Sequence, residues 1–267
     1  MWRVASASVI GTGHTATGMP CQDSSCITQT ESALIVAVSD GLGSAAHSHV
    51  GAYTVCQVAT TYVETKLRAH ATAQQLQVRR SWLHWFRRKP KQQSIQYQQL
   101  CTEAFAQARE ALVTTAQQQT HDLREYGCTL LLAIVLTDYW AVMHIGDGAV
   151  VGIYADDHVQ TISTPDNGEF VNVTYPITAP TYLSQVRFAE KNETLHGIVL
   201  MSDGVQPMCI NYKTHDAFPG FFGPLLQWFR TQPDSEDLNA RIAAMLDTAQ
   251  FRQKSDDDMT LVIALRQ

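Results

Sequence analysis

Three apolar runs in this 267-residue chain each end directly on Asp-Gly. They are Leu34-Ile-Val-Ala-Val-Ser-Asp40-Gly41, Trp140-Ala-Val-Met-His-Ile-Gly-Asp147-Gly148 and Ile198-Val-Leu-Met-Ser-Asp203-Gly204. Each run is short, β-branched or aliphatic, and reads as a buried strand. An Asp at a strand end is held at the rim of a sheet, and the following Gly lets the backbone turn away or turn its carbonyl toward a ligand. One such pair alone is merely a turn. Three of them, with Asp257 just ahead of a further apolar run, point to a carboxylate site shared by several strands. Oxygen sets of this kind suit hard divalent cations such as Mg²⁺ or Mn²⁺.

The remaining sequence fits a strand-rich fold with helices. Further strands are expected over Arg3 to Ile10, Cys128 to Leu136, Tyr139 to Ile145, Val150 to Tyr154, His158 to Ile162, Gln185 to Ala189 and Met259 to Leu265. Helical spacing of apolar residues marks Ala45 to Arg68 and Ile95 to Gln118, and a third helix is expected over Asp237 to Phe251. Connections of hairpin length, such as Thr137-Asp138, favour antiparallel pairing. The fold class expected is α+β: an antiparallel β-sandwich with helices on its faces. A single domain over residues 1–267 is expected, with an insertion at about 72–94 between the two long helices.

Composition narrows the function classes. A chain of this length buries enough surface to fold without a disulfide or a structural metal, so a bound metal would serve chemistry. The six cysteines form no CxxC pair and read as packed free thiols. The longest apolar run, Leu130 to Leu136, is far short of the about 20 residues that span a membrane. Trp2 to Ile10 alternates like a strand rather than a signal peptide, and a cytoplasmic monomer is expected. A net charge of −6 argues against a nucleic-acid role. That average hides a basic stretch, Arg79, Arg80, Arg87, Arg88, Lys89 and Lys91; without its six positive charges the rest carries −12. Trp82, Trp85 and Phe86 lie among these residues, as a partner patch or as an amphipathic tip packed on its own domain.

Phosphoester hydrolysis is the chemistry two carboxylate-held cations perform most naturally. Gly-x-Ser-x-Gly, an HCx₅R-type phosphate loop and a Walker loop are all absent. The ordered set Gln22-Asp23, Ser39-Asp40-Gly41-Leu42-Gly43-Ser44, Gly127-Cys128-Thr129, Gly146-Asp147-Gly148, Ser202-Asp203-Gly204 and Asp257-Asp258-Met259-Thr260 resembles the metal-dependent serine/threonine protein phosphatases of type 2C. The compact bacterial subgroup is the nearest match, and the resemblance spans nearly the whole chain.

The resemblance implies a two-metal Mn²⁺ or Mg²⁺ centre held by Asp23, Asp40, Asp203 and Asp257 and the carbonyl of Gly41. It makes Asp147 a ligand of a further, weaker ion. It implies a phosphorylated protein substrate, with a cognate Ser/Thr kinase or its targets as partners. Asn167 to Leu183 falls where the family has a flap beside its active site, or is a plain surface loop. The chain departs from the pattern at Gly18, where the family often has a phosphate-binding Arg; His14 is the candidate replacement, as phosphate contact or proton donor. Gly-Asp-Gly-Ala stands where Gly-Asp-Ser-Arg is usual, and Asp256 and Asp258 are read as solvated or supporting neighbours of Asp257. Two other readings stay open: a catalytically weak or inactive module that binds a phosphorylated partner, and a hydrolase of small phosphoesters.

Overall fold

The computed structural model describes residues 1–82, 95–165, 174–211, 213–233 and 237–267, with side chains of 74–82 left aside. Ten strands form two five-stranded antiparallel sheets. One has the order β1 (Trp2–Val9), β10 (Met259–Arg266), β9 (Gly197–Met201), β6 (Ala149–Ile153), β7 (Val159–Ser163). The other runs β2 (Ser24–Gln29), β3 (Leu34–Ser39), β4 (Leu130–Val135), β5 (Trp140–Ile145), β8 (Arg187–Lys191).

Strict alternation along the central strands assigns each side chain to one of three apolar layers. Leu34, Val36 and Val38 of β3 face inward with Leu131, Ala133 and Val142, meeting Val150, Ile198, Leu200, Val262 and Ala264 of the opposite sheet. Ile35 and Ala37 point outward, beneath α2 (Ser48–Trp82) and α3 (Tyr97–Gln119). Val199, Met201, Leu261 and Ile263 point outward on the other side, beneath α5 (Pro219–Thr231) and α6 (Leu238–Leu246). Strands buried on both faces must be apolar throughout, which explains the unbroken runs.

The helices read as single apolar stripes. Leu100, Cys101, Ala104, Phe105, Ala108, Leu112 and Ala116 bury one face of α3, and Ala52, Val55, Cys56, Ala59, Val63 and Leu67 do the same for α2. Thr120, in the left-handed conformation at φ 59°, ends α3. The α+β sandwich expected from the sequence is the fold observed.

Several element expectations need correction. The first long helix runs to Trp82 rather than Arg68. The segment expected over Asp237 to Phe251 is two helices, α6 and α7 (Ala249–Arg252), because the chain leaves helical geometry at Asp247 and Thr248. The eighth strand lies two residues later than Gln185 to Ala189. Strand β2 and helix α5 had no expected counterpart. The former is a polar, partly exposed edge strand; the latter carries Pro219, Gly220, Gly223 and Pro224, residues that ordinarily break helices. Positions 83–94, which hold most of the basic stretch, lie outside the described residues, as do the side chains of Arg79, Arg80 and Trp82.

Phe105 is fully buried between α3 and the sheet. Phe105→Ala is expected to lower unfolding free energy by about 3–5 kcal/mol with an unchanged denaturant slope. A urea titration checks this, and a loss below about 1 kcal/mol would contradict the packing described.

Candidate metal centre

Register alone brings the acids together. Ser24 pairs with Ser39, Val38 with Leu131, and Leu130 with Ile145. The residue before β2, the residues after β3, the residue before β4 and the turn after β5 therefore emerge at one end. These are Asp23, Asp40, Thr129 and Asp147. In the other sheet Met201 faces both Leu261 and Ala149, so Asp203 after β9 and Asp257 before β10 emerge beside Asp147. The turn Gly146-Asp147-Gly148 crosses between the sheets and ties the two halves together.

Backbone contacts fix this rim. Asp40 N–H donates to Thr129 Oγ1 at 2.9 Å, Thr129 N–H donates to the Asp40 carbonyl at 2.8 Å, and Ser39 Oγ donates to the Thr129 carbonyl at 2.6 Å. Ser202 Oγ donates to Asp23 Oδ2 at 2.7 Å and accepts from Thr260 N–H at 2.9 Å. Two glycines are required by space. Gly146 has φ +110°, and a Cβ there would stand 2.4 Å from Thr129 Cγ2; a Cβ on Gly41 would stand 2.7 Å from Ser48 Cβ and 2.8 Å from the Gln22 carbonyl.

The resulting mouth, about 380 Å³, is lined by His14, Asp40, Gly41, Thr129, Asp147, Asp203 and Asp257 among others. Carboxylate oxygens of Asp40, Asp147 and Asp203 all lie within 4.8 Å of one another. Asp257 sits at the exposed rim, while Asp23 is buried behind the mouth against Ser202. Asp147 is thus grouped with Asp40 and Asp203 at the centre. Thr174 Oγ1 donates to Asp147 Oδ2. Thr174 begins the described part of the segment expected as a flap, and there Ile177, Thr178 and Tyr182 are buried, so residues 174–182 are packed down. Residues 166–173 lie outside the described residues.

The electrostatics follow from burial and crowding. Burial, reinforced by Asp23, Asp203, Asp147 and Asp257, holds the Asp40 carboxyl well above the usual range. Burial and then Asp147, Asp257 and Asp23 push Asp203 up to about 7. Asp23 is also raised to about 7, chiefly by burial. Asp147 and Asp257 are raised, again chiefly by burial.

The Asp256-Asp257-Asp258 run resolves into three roles. Asp256 is exposed, and its carbonyl accepts from Gly13 N–H at 2.9 Å. Of the two readings open for Asp258, solvated or supporting, the structure gives the supporting one: it is 1% exposed. Its Oδ1 accepts from Gly11 N–H at 2.6 Å and its Oδ2 from Gln22 N–H at 2.5 Å. Oδ2 also stands 3.0 Å from His14 Nδ1. His14 rides on α1 (Thr12–Thr17), which ends at Gly18 with φ +71°. The structure brings His14 to the mouth, whereas a Cβ at Gly18 would have no neighbour within 4 Å. Sequence reasoning missed Arg187, which donates to the Gly146 carbonyl at 2.8 Å behind Asp147.

The sequence model of the protein phosphatase 2C family matches residues 10–247. Serine/threonine-protein phosphatase 3 of Escherichia coli (strain K12) is 26% identical over 271 residues, covering 99% of this chain and 98% of that protein. Among solved structures, the serine/threonine phosphatase of S. agalactiae superimposes with a TM-score of 0.61 at 11% identity over 100% of both chains. PppA, a regulatory component of the T6SS in Pseudomonas aeruginosa, gives 0.60 at 16% identity over 99% of this chain and 97% of its own. RsbX in complex with magnesium gives 0.54 at 10% identity over 99% of this chain and 94% of its own. These structures share the fold.

A carboxyl raised on folding binds its proton more tightly in the folded state than in the unfolded one. Between its unfolded and folded pKa values stability therefore falls as pH rises. For Asp23 and Asp203 that window runs from the ordinary carboxyl value of 3.8 to about 7. Chelator-treated protein is expected to melt at a lower temperature at pH 7.5 than at pH 5.5. Added Mn²⁺ should raise Tm more at the higher pH. Equal Tm at both pH values without metal would refute the crowding.

Proposed function

The chain belongs to the protein phosphatase 2C family, and on that basis we infer that it hydrolyses phosphoserine and phosphothreonine in protein substrates at the acidic mouth. The observation that carries the reading is the convergence of Asp40, Asp147 and Asp203 within 4.8 Å. The donor set fits divalent cations: buried Oδ1 atoms of Asp23, Asp147 and Asp203 have no hydrogen-bond partner. Anionic oxygens without a proton donor are costly to bury unless a cation meets them. Asp40, Asp203 and Asp257 with the Gly41 carbonyl, backed by Asp23, are the residues assigned to two Mn²⁺ or Mg²⁺ ions. Asp147 serves the same cluster and a weaker third ion. When bound, such cations supply an acidified water as nucleophile and offset charge on the phosphoryl group.

The protein's own groups account for orientation and proton delivery. His14 stands where an anionic phosphate would enter, and its Nε2 faces the Gly41 to Ser44 loop, 3.9 Å from where a Cβ on Gly43 would lie. Asp258, whose Oδ2 stands 3.0 Å from Nδ1, is placed to hold the ring in that orientation. His14 is the group assigned to protonate the leaving serine or threonine oxygen, and Asp258 is its positioning residue. A cognate Ser/Thr kinase, whose products this chain would reverse, is the partner class implied. The alternative, an inactive module binding phosphorylated partners, is favoured by the glycine at position 18 and by Gly-Asp-Gly-Ala in place of Gly-Asp-Ser-Arg; the carboxylate set weighs against it.

Purified protein is expected to dephosphorylate a phosphothreonine peptide in the presence of Mn²⁺. Asp203→Asn should reduce kcat/KM about 100-fold or more. Turnover no greater than that of Asp40→Asn would overturn the protein-phosphatase reading, leaving a binding module or, if an aryl phosphate is still turned over, a hydrolase of small phosphoesters.

His14→Gln should lower kcat about 100-fold on a phosphoserine peptide. The loss should be much smaller on an aryl phosphate, whose leaving group needs no proton. Equal losses on both substrates would make His14 a phosphate contact instead.

A further inference from the structure

His144 is fully buried in β5. Trp140 and Val142, on the same face of that strand, belong to the apolar layer between the sheets. A polar ring in such a layer is costly unless its nitrogens find partners. The outermost strand of each sheet supplies one: Ser163 of β7, whose Oγ is 2.8 Å from Nδ1, and Arg187 of β8, whose Nη2 is 2.9 Å from it. Arg187 stands directly opposite His144 in the register of β5 and β8. Burial, then the Arg187 charge, holds the imidazole well below its ordinary value, so the ring is neutral at pH 7. With the ring proton on Nε2, Nδ1 is an acceptor for both neighbours.

The same guanidinium nitrogen reaches the turn beyond β5. Nη2 of Arg187 donates to the Gly146 carbonyl at 2.8 Å, and Nε2 of Gln206, which is 1% exposed, donates to the Asp147 carbonyl at 2.6 Å. The turn is buried, and buried carbonyls require donors. Gly146-Asp147-Gly148-Ala149 carries no donor side chain of its own, and Gly146 departs from strand geometry at φ +110°. Two consecutive carbonyls are therefore held by long side chains from opposite sheets, Arg187 in β8 and Gln206 shortly after β9.

We propose that Arg187, oriented by His144 and Ser163, is a positioning residue for Asp147: with Gln206 it clamps the backbone of the turn and so fixes where the carboxylate stands beside Asp40 and Asp203. Its role rests on Asp147 being a cation ligand, as proposed above. Arginine suits the task because the two N–H bonds of one planar nitrogen diverge at a fixed angle, one toward Gly146 and one toward His144. A lysine ammonium would keep the charge and lose the fork. Groups that orient a metal ligand without touching the ion typically change affinity by about 10–100-fold.

Calorimetric titration of the full chain with Mn²⁺ tests this. Asp147→Asn first identifies the part of the binding that depends on Asp147. Arg187→Lys, which retains the charge, is expected to weaken that part about tenfold and to leave the remainder within about threefold. In an Asp147→Asn background the same substitution should have no further effect, a non-additivity that a general loss of stability would not produce. Ser163→Ala removes only a hydroxyl from a half-buried strand; it is the variant least able to disturb folding and should act in the same direction. Titrations that Asp147→Asn leaves unchanged would remove Asp147 from the cation ligands and overturn both readings. Asp147-dependent binding that Arg187→Lys leaves unchanged, or an equal loss in the Asp147→Asn background, would overturn the role of Arg187 alone.

Discussion

Carboxylates repel one another, and burial makes the repulsion worse by removing the water that would screen it. Five of them meet at one end of this sandwich, and nothing local would keep them there. What keeps them is the antiparallel register of two sheets, locked by an apolar layer between them and one on each outer face. A shift of one residue in β3 or β9 would turn every side chain of that strand to the opposite face. Since both faces are apolar, the pattern alone would tolerate such a shift. The side-chain bonds at the rim, Ser39 and Thr129 on one sheet and Ser202 and Thr260 on the other, discriminate against it. The small polar residues around the acids therefore serve as register pins as much as ligand supports.

Asp257 and Asp258 show how far position outweighs residue type. They are consecutive, yet one reaches the exposed rim and the other is 1% exposed beneath it. Asp258 tolerates burial because two backbone N–H groups and an imidazole converge on it. In so doing it joins Gly11, Gln22 and His14 to the start of β10, drawing the N-terminal segment over the mouth. Asp23, Asp147 and Asp203 each keep a buried oxygen with no such donor. Buried carboxylates whose oxygens all meet donors build the frame; Asp23, Asp147 and Asp203 each keep one oxygen open.

The strands ending in Asp-Gly were legible because strand burial on two faces leaves an unmistakable apolar run and the turn chemistry marks its end. The same logic hid β2. Ser24 to Gln29 is a mostly polar, half-buried edge strand, so it lacks the run. Helix α5 was hidden by its prolines and glycines, which Phe222, Leu225, Leu226 and Phe229 override by burial against the sheet. At the site, Asp40, Asp147 and Asp203 could be read from spacing. The placement of His14 could only be guessed, and the sequence leaves Asp258 open between a solvated and a supporting role, since both depend on α1 folding back over residues more than two hundred positions away.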